Sequence, residues 1–190
     1  MPRKPKTLPI DYVAKVTALD WQALSDLWDE ISAVPRTTAV GWAAGMAFEH
    51  LILRAFQLSG AEVVWPYAVK IHDEPIEQID GLVISGHLTC MVEAKDEATN
   101  IAIAPLAKLR NQLMRRPSGV VGSVFTSRDF TAPAVTLAYY MAPQAILLWT
   151  GIEISHLLQK QDFVEALKWK HRVLLQHGMP DYNSIAGAPS

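Results

Sequence analysis

At 190 residues, half of them hydrophobic and 19% charged, the chain has the composition of one folded domain and is not a disordered or low-complexity protein. A net charge of −2 excludes a uniformly basic nucleic-acid binder, so any such contact has to come from a local patch. A single cysteine, Cys90, rules out an intrachain disulfide and fits a reducing, cytoplasmic setting.

The opening MPRKPKTLPI is basic but has no apolar run behind it, unlike a secretory signal. The most apolar stretch, TTAVGWAAGMAFEHLILRAF, is interrupted by Glu49, His50 and Arg54, so no membrane span is expected. Residues 1–9 read as a Pro/Lys/Arg-rich arm. Trp21, Leu24, Leu27, Trp28 and Ile31 recur at helical spacing, with Asp20 placed to cap the helix and Pro35 to end it. A second helix is expected over residues 38–58, stopped at Gly60. AEVVWPYAVKI reads as a bent or edge strand, because Pro66 has no N–H for a ladder.

Residues 78–85 and 87–95 form the next two strands, a hairpin. Pro105 opens a helix that runs to about Arg116, and VVGSVFTS follows as a buried strand. A short helix around APAVTLAYYM, a second buried strand AILLWTG and a closing helix FVEALKWKHRVLLQ complete the pattern. The first three strands have short links and should be antiparallel; the last two are joined across a helix and should be parallel. The expected fold is α/β: a mixed five-stranded central sheet with helices on both faces, in three layers. Residues 1–36 are read as an arm and helix extending this domain, 37–178 as its core and 179–190 as a tail.

The hairpin IDGLVISGHLTCMVEAK carries Asp80, Glu93 and Lys95 in strands that otherwise look buried. Charges in such positions are costly unless paired or bound to a metal. With a two-residue turn at Ser85-Gly86, Ile84 faces His87, Asp80 faces Met91 and Glu93 lies one diagonal step away on the same face as Lys95. A surface hairpin would present a polar face. Here one face holds Ile79, Val83, Leu88, Cys90 and Val92 and the other Leu82, Ile84 and Met91. Two converging carboxylates offer hard oxygen ligands to Mg²⁺, with Mn²⁺ as a substitute, and an adjacent ammonium group can orient water or offset developing charge. Such a set suits phosphodiester hydrolysis.

Asp80, twelve residues, then Glu93-Ala94-Lys95 resembles the active-site pattern of the PD-(D/E)xK nuclease superfamily. GVVGSVFTSRDFTAPAVTLA and the ending AILLWTGIEISHLL…FVEAL resemble Mrr-type restriction endonuclease domains, over roughly residues 38–176. Ile79 stands where the pattern has proline, and no separate DNA-binding domain is visible. The resemblance implies a restriction-endonuclease-like fold and metal-dependent cleavage of nucleic acid, DNA first. Asp80, Glu93 and the Ala94 carbonyl would hold the metal, and Lys95 would position or activate water. It also implies a metal-directed role for Glu49, which otherwise reads as a helix-surface carboxylate beside His50 and Arg54. Gln112 lies on the helix where relatives often place a polar active-site group.

Lys108, Arg110, Arg115 and Arg116 share that helix and read either as phosphate contacts or, for the two arginines, as complements to the helix C-terminus. Ser127 and Arg128 follow a buried strand, where α/β sheets expose ligand loops. Lys168, Lys170, His171 and Arg172 read as a solvated face, and Cys90 as a small core residue. Near-neutral charge and six tryptophans suggest a homodimer or a targeting partner. Two alternatives stay open: a non-cleaving nucleic-acid-binding or scaffold subunit on a nuclease-like fold, and a nuclease acting on RNA or branched DNA.

Overall fold

A computed structural model describes residues 11–33, 38–65, 67–71, 74–141 and 143–185. Helices α1 (Tyr12–Thr17), α2 (Trp21–Ser32) and α3 (Met46–Leu58) come first. Strands β1 (Glu62–Val64), β2 (Tyr67–Ile71), β3 (Glu74–Ile79), β4 (Gly81–Ser85) and β5 (Leu88–Lys95) follow. Then α4 (Ile103–Leu113), β6 (Val120–Thr126), α5 (Ala132–Tyr139), β7 (Ile146–Trp149), α6 (Gly151–Lys160) and α7 (Phe163–His177) alternate to the end. Among the described residues no helix is long and apolar enough to cross a membrane.

The main sheet has five strands in the order β1-β4-β5-β6-β7, antiparallel from β1 to β5 and parallel from β5 to β7. This is the expected mixed three-layer arrangement. Side chains alternate across each strand. Val83, Cys90, Val92, Phe125 and Trp149 therefore pack under α2, α3, α6 and α7, while Met91, Val124, Ile146 and Leu148 pack under α4 and α5. Phe125 stacks on Trp149 with ring centroids 5.2 Å apart. Cys90 is fully buried, and burial pushes its thiol up to about 12.

Several local expectations are corrected. The bent strand of residues 61–71 is two strands, and β2 pairs with β3 in a separate two-stranded ribbon. The strand expected over 78–85 breaks at Asp80, and Ile79 packs beside Met91 rather than with Val83. The turn falls at Gly86-His87, because Ser85 pairs with Leu88 and Gly86 takes φ +59°, a conformation open to glycine. The helix expected from residue 38 begins only at Met46. Helices α1 and α6 were not foreseen. The arm 1–9, Pro35 and Pro66 lie outside the described residues.

Helix α6 starts with a capping box. Thr150 Oγ1 accepts from the Glu153 N–H, and the Glu153 carboxylate accepts from the Thr150 N–H. The other Glu153 oxygen accepts from Lys170 Nζ at 2.6 Å and from the Ser184 N–H and hydroxyl. Lys170 is thus no solvated residue. It has no exposed surface, and its ammonium lies 4.3 Å over the Trp149 ring. The stripe Phe163, Val164, Leu167, Lys170 and Val173 turns it inward. Burial lowers its pKa, and the Glu153 charge and hydrogen bond oppose that shift. Lys170→Met leaves a buried carboxylate without its cation and should lower folding stability by about 3 kcal/mol, read from urea unfolding at pH 7.5. Unchanged stability would show that the remaining donors suffice for Glu153.

Candidate active site

Two absent side chains set the depth of the site. A Cβ on Gly81 would collide with Leu53 of α3, and one on Gly122 would come within 2.8 Å of Leu109 of α4. Glycine at these positions lets α3 settle against β4 on one face and α4 against β6 on the other. Helix α3 thereby brings Glu49 near the start of β4, and α4 brings Lys108 and Gln112 over β5.

Strand register does the rest. Gly81 pairs with Val92, so Asp80 comes level with Glu93, one pair further along than expected. The register differs from the expected one by an even step, so Glu93 and Lys95 keep a common face of β5, while Asp80 stands outside both strands, in the bend between β3 and β4. Asp80 Oδ2 accepts from the Ala94 N–H at 2.7 Å, which ties the bend between β3 and β4 to the end of β5. Glu93 has no exposed surface. Its Oε1 lies 2.6 Å from Lys95 Nζ, and Lys108 Nζ donates to Oε1 and Oε2 at 2.9 and 2.8 Å. Lys95 also donates to the Ala94 carbonyl at 3.3 Å. A cavity of about 400 Å³, lined by Glu93, Lys95, Glu97, Ala102, Pro105 and Lys108, opens beside these groups.

The carboxylates feel one another. Burial, then the charge of Asp80, raises Glu49 to about 7; Glu93 adds to this, while Lys95 and Lys108 oppose it. Burial, then Glu93, also raises Asp80, against the Ala94 hydrogen bond and both lysines. For Lys95, burial works to lower the pKa, but the hydrogen bond and charge of Glu93, with Asp80 and Glu49, outweigh it and raise the value. Lys95 is therefore an ammonium at neutral pH. His50, next to Glu49, is buried and its pKa is lowered by that burial; its Nδ1 lies 2.9 Å from the Met46 carbonyl and must carry the proton in that bond.

Asp80, Glu93, Ala94, Lys95 and Glu49 are thus brought together, and Lys108 joins them as an ion-pair partner of Glu93. Gln112 is buried just outside: Nε2 donates to the Gln78 carbonyl at 3.2 Å, and Oε1 is buried without a partner among the described residues. Arg115 and Arg116 pair with Glu77 on β3, so they clamp the ribbon rather than the helix C-terminus. Ser127 is buried and donates to Asp96 at 2.6 Å. Arg128 lines a different cavity of about 360 Å³ with Asn100, Gly151 and Ser155. Among the described residues no three His, Cys, Asp or Glu side chains are arranged to hold a metal ion as they stand. The donors are nevertheless of the right kind: hard oxygens from Glu49, Asp80, Glu93 and the Ala94 carbonyl, with two carboxyl groups held above their ordinary pKa by burial and mutual repulsion.

Residues 43–158 match the Mrr catalytic-domain family model, described as a restriction endonuclease. No curated protein matches the sequence. Among solved structures, the chain is similar to the small subunit of the heterodimeric restriction endonuclease BspD6I, with TM-score 0.53 and 15% identity over 84% of this chain and 91% of that one. It is also similar to the MspJI restriction endonuclease in complex with a 27-mer oligonucleotide, with TM-score 0.40 and 14% identity over 92% of this chain and 38% of that one.

Because the folded state holds the Glu49 proton up to about pH 7 and an unfolded glutamate only to about 4.5, stability should fall as pH rises between those values. Glu49→Gln removes this dependence. In EDTA it should be more stable than the parent at pH 8, by on the order of 1–2 kcal/mol, and the gain should shrink toward pH 4.5. Melting both proteins at pH 5 and pH 8 checks this, and an equal difference at the two pH values would contradict it.

Proposed function

The chain belongs to the Mrr-type restriction endonuclease family, and we propose that it is a divalent-metal-dependent endonuclease acting on DNA. The observation that carries this reading is the meeting of Glu49, Asp80 and Glu93 with Lys95 at one end of the central sheet. Asp80, Glu93, Glu49 and the Ala94 carbonyl are assigned to hold Mg²⁺, or Mn²⁺ in its place. When bound, the ion supplies charge stabilisation at the phosphate and a more acidic water.

The protein's own groups have separable tasks. Lys95 is protonated, so it orients the attacking water and offsets charge growing on the phosphate oxygens; it does not remove a proton. Glu49, with a pKa near the working pH, is the group suited to exchange a proton with solvent before the metal arrives. Asp80 is oriented by the Ala94 N–H, a bond that an asparagine oxygen would also accept. Ser127 is buried and bonded to Asp96, so of the two only Arg128, beside it at the same sheet end, is placed for a peripheral contact with the nucleic-acid backbone.

Each chain carries one such centre, whereas a duplex has two strands to cut. A homodimer or a partner subunit would supply the second.

Asp80→Asn should lower Mg²⁺-dependent cleavage by at least about a hundredfold, since metal-mediated charge stabilisation is worth several kcal/mol. Its melting temperature in EDTA should match or exceed the parent's. The assay offers linear, nicked, single-stranded and branched DNA, and RNA. Undiminished cleavage by Asp80→Asn would sink the site assignment, and preferential cleavage of RNA would sink the substrate. Light scattering run alongside should show that an isolated monomer nicks one strand and that double-strand cleavage appears only with a dimer or partner. Efficient double-strand cleavage by a monomer would refute the assembly.

A further inference from the structure

Every oxygen that the nuclease reading assigns to a cation on β5 is already held by an ammonium group. Lys95 takes Glu93 Oε1 and the Ala94 carbonyl, and Lys108 spans both Glu93 oxygens. The two lysines differ in how they are held. Lys95 is on the same strand as Glu93 and three-quarters covered. Lys108 reaches in from the next helix, its side chain 46% exposed at the mouth of the 400 Å³ cavity. Lys95 is the more covered of the two and also donates to the Ala94 carbonyl, whereas a long side chain on a half-exposed helical position can swing outward into water at less cost.

We propose that Lys108 is a displaceable counter-cation: it neutralises Glu93 in the empty site, competes with the divalent ion for that carboxylate, and on displacement projects into the adjacent cavity, where it can meet a backbone phosphate of the substrate. This rests on the metal-dependent nuclease reading and adds a task for a residue outside the Asp80/Glu93/Lys95 set. Two physical points support it. Glu93 is fully buried, with Lys95 at Oε1 and Lys108 at Oε2, so a lysine that fills the second position between turnovers keeps that oxygen paired. A second ammonium under 3 Å from Glu93 also opposes an incoming cation at that distance, so removing its charge must tighten metal binding.

The test is Mn²⁺ binding to the full chain without nucleic acid, measured by titration calorimetry. Lys108→Met and Lys108→Gln should bind Mn²⁺ roughly fivefold or more tightly than the parent, by loss of one nearby positive charge. Lys108→Arg keeps the charge and should match the parent. Glu93→Gln should weaken binding at least about tenfold, by removing an anionic ligand. Since Lys108 is half exposed, its variants should fold, and circular dichroism confirms it. If Glu93→Gln loses Mn²⁺ while both neutral Lys108 variants bind at parental strength or more weakly, the displacement proposal fails and the nuclease reading stands. Tightening in Lys108→Arg as well would overturn the charge competition. If Glu93→Gln keeps parental affinity, the metal is not at this carboxylate and both readings fall.

Discussion

Glu93 is a carboxyl group with no exposed surface, and much of the site follows from what its burial requires. A lone carboxylate in such a place would cost several kcal/mol even after relaxation. Two ammonium groups offset that cost, one from the next-but-one residue on the strand and one from α4. The second partner reaches in from α4. Lys108 must reach β5 while Leu106, Leu109 and Leu113 on the same helix fill the apolar cluster below. Glycine at position 122 is what makes room for both demands. The balance is also incomplete: three carboxyl groups, Glu49, Asp80 and Glu93, share two lysines. The leftover negative charge is spread onto the two groups able to take a proton, Glu49 and Asp80, and it makes the site receptive to a further cation.

A second lysine–glutamate pair in the same molecule shows what a closed version looks like. Glu153 and Lys170 meet at 2.6 Å, the same separation as Glu93 and Lys95. Yet Glu153 is saturated by the capping box and Ser184, and Lys170 is sealed under Trp149. That pair is a rivet between α6, α7 and the tail, and its lysine has no exposed surface. At Glu93 the pairing is equally short, but one cation is half exposed and a cavity adjoins it. Identical chemistry serves structure in one place and exchange in the other, and access for water and ligands separates the two.

What could be read from the sequence divides along the same physical lines. The common face of Glu93 and Lys95 was legible because it depends only on alternation along β5, which an even step in the register leaves intact, whereas Asp80 lies in a bend outside both strands, where alternation does not apply. The turn itself was misplaced, since Ser85 and Gly86 look like a turn while the chain uses Gly86 and His87. The bond from Ala94 to Asp80 was not legible, because it depends on a bend where β3 leaves the sheet direction. Lys170 was misjudged although its position on the Phe163–Leu167–Val173 stripe carried the information; a charged residue type outweighed the period. Helix α6 was missed despite Thr150 and Glu153 at capping-box spacing. Lys108 read as a phosphate contact, and its pairing with Glu93 was not legible because the two are fifteen residues apart on different elements, a separation no local pattern encodes.

The matched family segment, residues 43–158, is not where this chain's packing ends. Leu24, Leu27 and Ile31 of α2 and Phe163 and Leu167 of α7 belong to the continuous core below β4–β7. Trp28 Nε1 donates to Ser155 Oγ of α6 at 2.7 Å, and α7 supplies the only cation touching Glu153 among the described residues. Through α6 and β7 these flanking helices brace the parallel half of the sheet, whose strands β5 and β6 share a register from Thr89 to Lys95. That register holds Glu93 and Lys95 level against Val124 and Thr126. A carboxylate that depends on ammonium contacts of 2.6–2.9 Å tolerates little slippage between strand and helix. The precision of the charged cluster is therefore a property of the whole assembly of α2, α3, α6 and α7 around the sheet, although none of the residues that would touch a metal ion or a phosphate lies on α2, α6 or α7.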